Sequence, residues 1–171
     1  MRASRKKRAT RVKPAKNTAK RRGSDITARL LRQARELGVK SFIVMPIDEI
    51  QLGFKLARRP RASVVPKLLE LAEHSNMHAR RIALSALRHM KAWDHPGVLE
   101  LFVRALGDAQ GWVRYDAAWA LGASGTSDAR AIAELRKLAR DALDDPPLDD
   151  DDAQAATRAK ESLAQLLAVA P

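Results

Sequence analysis

The 171-residue chain has no cysteine, which excludes disulfides, thiolate catalysis and cysteine-ligated zinc and fits a reducing compartment. No segment approaches the roughly 18 consecutive apolar residues of a membrane span, and no apolar signal core follows the basic start. The expectation is a soluble, cytoplasmic protein, with nucleoid association as the option its charge raises. Glycine-rich phosphate loops are missing too, since Gly122 and Gly125 close a helical pattern rather than open one. His74 and His78 have the four-residue spacing of two ligands on one helix face, but Asn76 between them reads as a helix cap, so they belong to different elements. The run Asp149 to Asp152 lacks the spacers and glycine of a calcium loop, and stabilisation of a helix N-terminus accounts for it. No metal, cofactor or catalytic residue is therefore expected.

Acidic residues are absent from residues 1–22, which carry 11 Lys or Arg, whereas the rest of the chain carries 21 basic and 20 acidic groups. The formal net charge of +12 thus belongs almost entirely to one segment. Seven Asp between Asp141 and Asp152 form an opposing acidic loop. Aromatics are also few, yet Trp112, Tyr115 and Trp119 fall within eight residues.

A self-similarity is present. Ala79-Arg80-Arg81-Ile82-Ala83-Leu84-Ser85-Ala86-Leu87 aligns 34 residues later with Val113-Arg114-Tyr115-Asp116-Ala117-Ala118-Trp119-Ala120-Leu121, sharing Arg, Ala, Ala and Leu at equal offsets. A unit of this length cannot bury its apolar face alone, so copies must stack into one core. The chain divides accordingly. Residues 1–23 read as a disordered basic arm, having little to bury and much like charge. Residues 24–60 read as an N-terminal segment: a helix over 25–37 capped by Ser24, a packed connector from Val39 to Met45, and a short helix over 47–56. Residues 61–171 read as three helical pairs. Ser63 caps 64–73, with Pro66 in its first turn, and Asn76 caps 77–91. A turn at Trp93 to Pro96, with Trp93 as packing, precedes 98–106, and 111–121 then ends at Gly122. Helices over 128–141 and 150–169 follow; the last matches its predecessor at an offset of 42, so eight residues have been inserted in the acidic loop.

The segment from Asp108 to Gly122 resembles the HEAT repeat, particularly the short bacterial version also found in phycobilisome lyases. The resemblance is fullest over Val98 to Gly122, partial over Val64 to Met90, weak after Asp128, and absent from residues 1–60. It implies an all-α, right-handed solenoid of about three helical pairs. It also implies an interrepeat polar ladder using Asp108 and Arg114, interrupted in the first unit where His74 aligns with the aspartate. No activity comes with it, because such repeats are mostly scaffolds.

With Val113, Ala117, Ala120 and Leu121 inward at about 100° per residue, Trp112, Tyr115, Trp119 and Gly122 gather on the opposite side. The same positions of the preceding unit are His78, Arg81, Ser85 and Arg88, and of the following one Gln154, Thr157, Glu161 and Ala164. In the family the second helices line the concave surface. Arg81, Ser85, Arg88, Trp112, Tyr115 and Trp119 are therefore the candidate partner-binding residues, since Trp, Tyr and Arg dominate binding hot spots. The competing reading has the tryptophans filling gaps between repeats. In the arm, Arg5, Lys6, Lys7, Arg8, Arg11, Lys13, Lys16, Lys20, Arg21 and Arg22 suit a phosphate backbone without reading sequence; a solubilising tail is the plainer alternative.

The expected function is a non-enzymatic adaptor that grips a protein partner on the concave face while the arm contacts a polyanion. The alternative is a nucleic-acid-binding protein using arm and face together. Some DNA alkylbase glycosylases built from HEAT-like repeats combine tryptophans with an aspartate, as Trp112 and Asp116 superficially do, but they use more repeats than are available here. Kinship with bilin lyases rests on the repeat alone.

Overall fold

A computed structural model describes residues 16–39, 46–144 and 150–169. Its helices are α1 (Lys16–Glu36), α2 (Pro46–Ala57), α3 (Arg61–Leu71), α4 (Met77–His89), α5 (Val98–Ala105), α6 (Gly111–Ser124), α7 (Ala129–Asp144) and α8 (Asp150–Val169), with a 3₁₀ turn at Ala92–Asp94. No strand occurs among the described residues.

The helices form four pairs. Each odd-numbered helix packs on the one that follows it, and α2, α4, α6 and α8 pack side by side in a row. Cross-contacts fix their direction. Glu49 and Gly53 of α2 meet Arg81 and Ser85 of α4, Arg81 and Arg88 meet Trp112 and Trp119 of α6, and Gly111 and Gly122 meet Asp151 and Ser162 of α8, so early positions meet early and late meet late. The row is therefore parallel, as stacked repeats require. One core runs through all four pairs, from Leu30, Leu31 and Ala34 in α1 through Leu56, Leu68, Ile82, Leu87, Phe102 and Leu121 to Leu135 and Leu166.

The fourth pair was not expected. Residues 24–60 read as a preceding segment, yet α1 and α2 occupy the same places as the later pairs. Packing asks for apolar groups at Leu30, Leu31, Ala34, Leu52 and Leu56 and a small residue at Gly53, which approaches Ser85. It does not ask for the Arg, Ala and Leu pattern that made the repeat visible further on.

Several boundaries also differ from expectation. α1 begins at Lys16, so Ser24 is internal and does not cap it, and residues 16–23 are helical rather than a disordered arm. The cause is an anchor: the Arg59 guanidinium donates to the Gly23 carbonyl at 3.0 Å and to Thr27 Oγ1 at 3.1 Å, holding the helix at the point where a cap was expected. Once that turn is fixed, adding residues N-terminally is easy. Residues 1–15 of the expected arm lie outside the described residues. Of the expected connector, Val39 is 70% exposed rather than packed, and 40–45 lie outside the described residues.

α3 begins at Arg61 with Pro60 as its cap residue, and Ser63 Oγ donates to the Pro60 carbonyl from inside the helix. Pro66 therefore sits in the second turn, not the first. It is tolerated because both it and Ala62, whose carbonyl loses its donor, lie on the exposed side. α6 runs past Gly122 to Ser124 and stops at Gly125, which takes the left-handed φ of 66° that glycine adopts freely. Gly122 serves instead as a contact point. A Cβ there would lie 2.7 Å from Ser162 Oγ.

Asn76 caps α4 as expected, its Oδ1 accepting from the His78 N–H at 3.0 Å. Its Nδ2 also donates to the carbonyls of Arg35 and Leu37 at the end of α1. Trp93 packs against Phe102 with ring centroids 5.9 Å apart.

Candidate functional site

The row of second helices presents one continuous face, and its chemistry follows from which side chains cross between neighbours. The interrepeat ladder joins each repeat to the next. Arg80 in α4 donates through Nε and Nη2 to both carboxylate oxygens of Asp108, each at 2.8 Å. One repeat on, Arg114 pairs with Asp152 in the first turn of α8. Arg114 meets Asp108 only through the latter's carbonyl, so the carboxylate partners are one repeat apart. At the aligned position of the first unit, the His74 carbonyl accepts from Arg80 as the Asp108 carbonyl does from Arg114, but His74 has no carboxylate to offer an arginine of a preceding repeat. Arg80 and Asp152 were not singled out from the sequence, although the alignment of Arg80 with Arg114 was the available signal.

Deeper in the row, Arg81 bridges two carboxylates from two other helices. Its Nη1 donates to Glu49 of α2 at 2.5 Å and its Nε to Asp116 of α6 at 2.8 Å. His78 Nδ1 donates to the other oxygen of Glu49. Glu49 is 5% exposed and Asp116 9%. Loss of hydration at that depth outweighs the attraction of Arg81, and with help from the negative Glu49 it raises the Asp116 carboxyl from its ordinary 3.8 to about 6. The Arg81 guanidinium is thereby committed to an internal cross-link. Asp116, bonded to Arg81 and enclosed, is not placed to meet a flipped base.

The aromatic row is half-buried. Trp112 meets Tyr115 edge-on at 5.5 Å between centroids, and Tyr115 meets Trp119 edge-on at 6.1 Å. Cations from both neighbouring helices brace it. From α4, Arg81 lies 5.2 Å from the Trp112 ring and Arg88 only 3.6 Å from the Trp119 ring. From α8, Arg158 lies 4.8 Å from Tyr115 and 5.0 Å from Trp119, and its Nη2 donates to the Tyr115 hydroxyl at 2.6 Å. The tryptophans thus bridge repeats while keeping part of their surface outward.

Ser85 lies where α4 crosses Gly53 of α2. Arg88 donates to Nε2 of His89, which requires that nitrogen to be unprotonated. Burial, followed by the adjacent Arg88 charge, lowers the His89 pKa and favours that neutral form. Burial also lowers that of Arg88 itself. His89 in turn stacks on Phe54 of α2 at 4.1 Å. No functional residue on α2 is legible in the sequence, because its unit lacks the Arg, Ala and Leu pattern of the later repeats.

Of the arm residues, Lys16, Lys20, Arg21 and Arg22 fall within α1, whereas Arg5, Lys6, Lys7, Arg8, Arg11 and Lys13 lie outside the described residues. No described helix is long and apolar enough to cross a membrane, and no described cluster of His, Asp and Glu could hold a metal ion.

The family model of HEAT repeats matches residues 65–164, more than half of the chain. No curated protein and no solved structure matches it. HEAT repeats are generally protein-interaction scaffolds and typically non-enzymatic. With paired helices stacked in parallel and an Arg–Asp ladder running between them, the chain belongs to the HEAT-repeat family.

Proposed function

We propose that the protein is a non-enzymatic scaffold that binds a protein partner on the face lined by its second helices and contacts a polyanion through its basic N-terminal segment. The observation that carries this is the aromatic row. Trp112, Tyr115 and Trp119 keep part of their surface outward while T-shaped contacts and three guanidiniums hold their orientation. Rigid aromatic surface loses little conformational freedom on binding, which is why such residues anchor interfaces. Arg88 and Ser85 border the row, and Arg81 fixes its position from beneath. The second part rests on the charge block of residues 1–22.

Two comparisons test the pair of claims. As baits, wild type, Trp119→Ala and a variant with Arg5, Lys6, Lys7, Arg8, Arg11 and Lys13 changed to Gln are compared by quantitative mass spectrometry. A partner lost with Trp119→Ala and kept by the arm variant supports the scaffold reading; capture unaffected by Trp119→Ala removes it. For the arm, duplex DNA binding is followed against salt, with a log–log slope near −0.9 per phosphate contact. Loss of binding in the arm variant supports the division of labour. Binding that survives there but falls with Arg88→Glu assigns both surfaces to nucleic acid.

A further inference from the structure

The cations of the second-helix face are not equivalent. Arg81 is paired with Glu49 and Asp116, and Arg158 with Glu161. Arg88, between them, has no carboxylate within ion-pair range among the described residues. Asp116 favours its charge through space, but among the described residues its guanidinium hydrogen-bonds only to neutral His89. A guanidinium carries five N–H donors. Arg88 is therefore a partly desolvated cation with donors to spare, held over the Trp119 ring, and that combination suits an incoming carboxylate.

An apolar strip lies beside it. On α2, Ile50 is 45% exposed and Phe54 43%, on the side of that helix turned away from Leu52 and Leu56. Phe54 is linked to Arg88 through the stacked ring of His89. On the α8 side of the row stands Glu161, 52% exposed on its side chain.

Resting on the scaffold reading above, we infer that Arg88 and Trp119, with Ile50 and Phe54 alongside, bind a peptide segment carrying a carboxylate next to an aliphatic side chain. A phosphodiester strand fits less well. It has no use for the aliphatic strip, and it needs a continuous track of available cations, whereas Arg81 and Arg158 on this face are already paired with carboxylates.

The probe is the peptide acetyl-Glu-Leu-Glu-Glu-Leu-amide, titrated into the isotope-labelled full chain and followed by NMR. Its Gln analogue and a short oligothymidylate serve as comparisons. The Glu peptide is expected to move the Arg88 Nε–H and Trp119 indole N–H signals. The Gln analogue binds about tenfold or more weakly, as does the Glu peptide on Arg88→Gln, the range for a charge-assisted hydrogen bond. Phe54→Ser, which leaves every cation in place, weakens it about threefold or more through lost apolar burial. No movement of the Arg88 and Trp119 signals up to about 5 mM peptide, a bound free energy near −3 kcal/mol, overturns the inference. So do equal affinities for wild type and Arg88→Gln, or shifts confined to residues 2–22. Oligothymidylate binding at Arg88 more tightly than the peptide assigns the face to nucleic acid instead. If Trp119→Ala abolishes partner capture while the peptide fails, the scaffold reading stands and only the acidic-peptide class falls.

Discussion

The junction between α6 and α8 and the junction between α2 and α4 do the same architectural work by different means. At α6–α8 the backbones nearly touch: a Cβ on Gly111 would fall 2.7 Å from the Asp151 carbonyl carbon, and one on Gly122 would meet Ser162. At α2–α4 the approach at Gly53 is looser, and a polar cluster of Glu49, His78 and Arg81 closes the gap. A stack of similar units therefore does not need similar fasteners. Close packing resists anything larger, whereas a charged cluster resists anything that unbalances it.

The largest expected effect is on the charged cluster. Arg81→Ala leaves Glu49 and Asp116 buried without their shared cation, and urea unfolding is expected to show a loss of about 3–5 kcal/mol. Arg81→Ala with Glu49→Gln and Asp116→Asn recovers most of it, because the uncompensated charges are gone.

Asp116 gives the same cluster a pH signature. Its carboxyl holds its proton more tightly in the folded chain, at about 6, than in the unfolded chain near 3.8. The native state therefore carries the extra proton between those values. Its contribution to stability is fullest below pH about 4 and is lost as pH rises through about 6, a span of roughly 3 kcal/mol. The stability difference between wild type and Asp116→Asn should move in favour of the variant over that range, measured by denaturant titration at several pH values. A difference independent of pH removes the effect.

The packed junction is tested next. Gly111→Ala is expected to cost about 1–3 kcal/mol, although alanine is the better helix former, because its methyl group meets the Asp151 backbone rather than a movable side chain. Gly107→Ala, whose Cβ would make only ordinary contact, is the control.

The smallest effect lies on the first-helix side. Arg104 pairs with Glu73 and Arg130 with Glu100, each at 2.7 Å, in a second ladder largely open to water. Arg104→Ala is expected to change stability by about 1 kcal/mol or less, measured in the same way. A loss comparable to that of Arg81→Ala would erase the distinction drawn between enclosed and open ion pairs.

Fold and site were legible to different depths. The repeat around Trp112 to Leu121 declared itself because its packing requires Ala and Leu at fixed offsets, and the outward turn of Trp112, Tyr115 and Trp119 followed from helical geometry. The pair α1–α2 was hidden because what the fold asks of it, namely buried Leu30, Leu31, Ala34, Leu52 and Leu56, a small residue 53 and Glu49 facing Arg81, does not reproduce the Arg, Ala and Leu offsets of the later units. The roles of Arg81 and Arg88, the same residue type two turns apart on one helix face, could not be separated by pattern alone. Which of them finds a carboxylate depends on the alignment of Glu49 and Asp116, on helices 32 and 35 residues away in sequence.

Asn76 has a dynamic consequence. Repeat arrays ordinarily fray from their ends one unit at a time, since each unit touches only its neighbours. Here a single amide side chain closes the start of α4 and holds the carbonyls that finish α1. Peeling α1 away therefore removes a tether from the residue that caps α4, and amide hydrogens in the two segments should exchange with solvent as one cooperative unit rather than in succession.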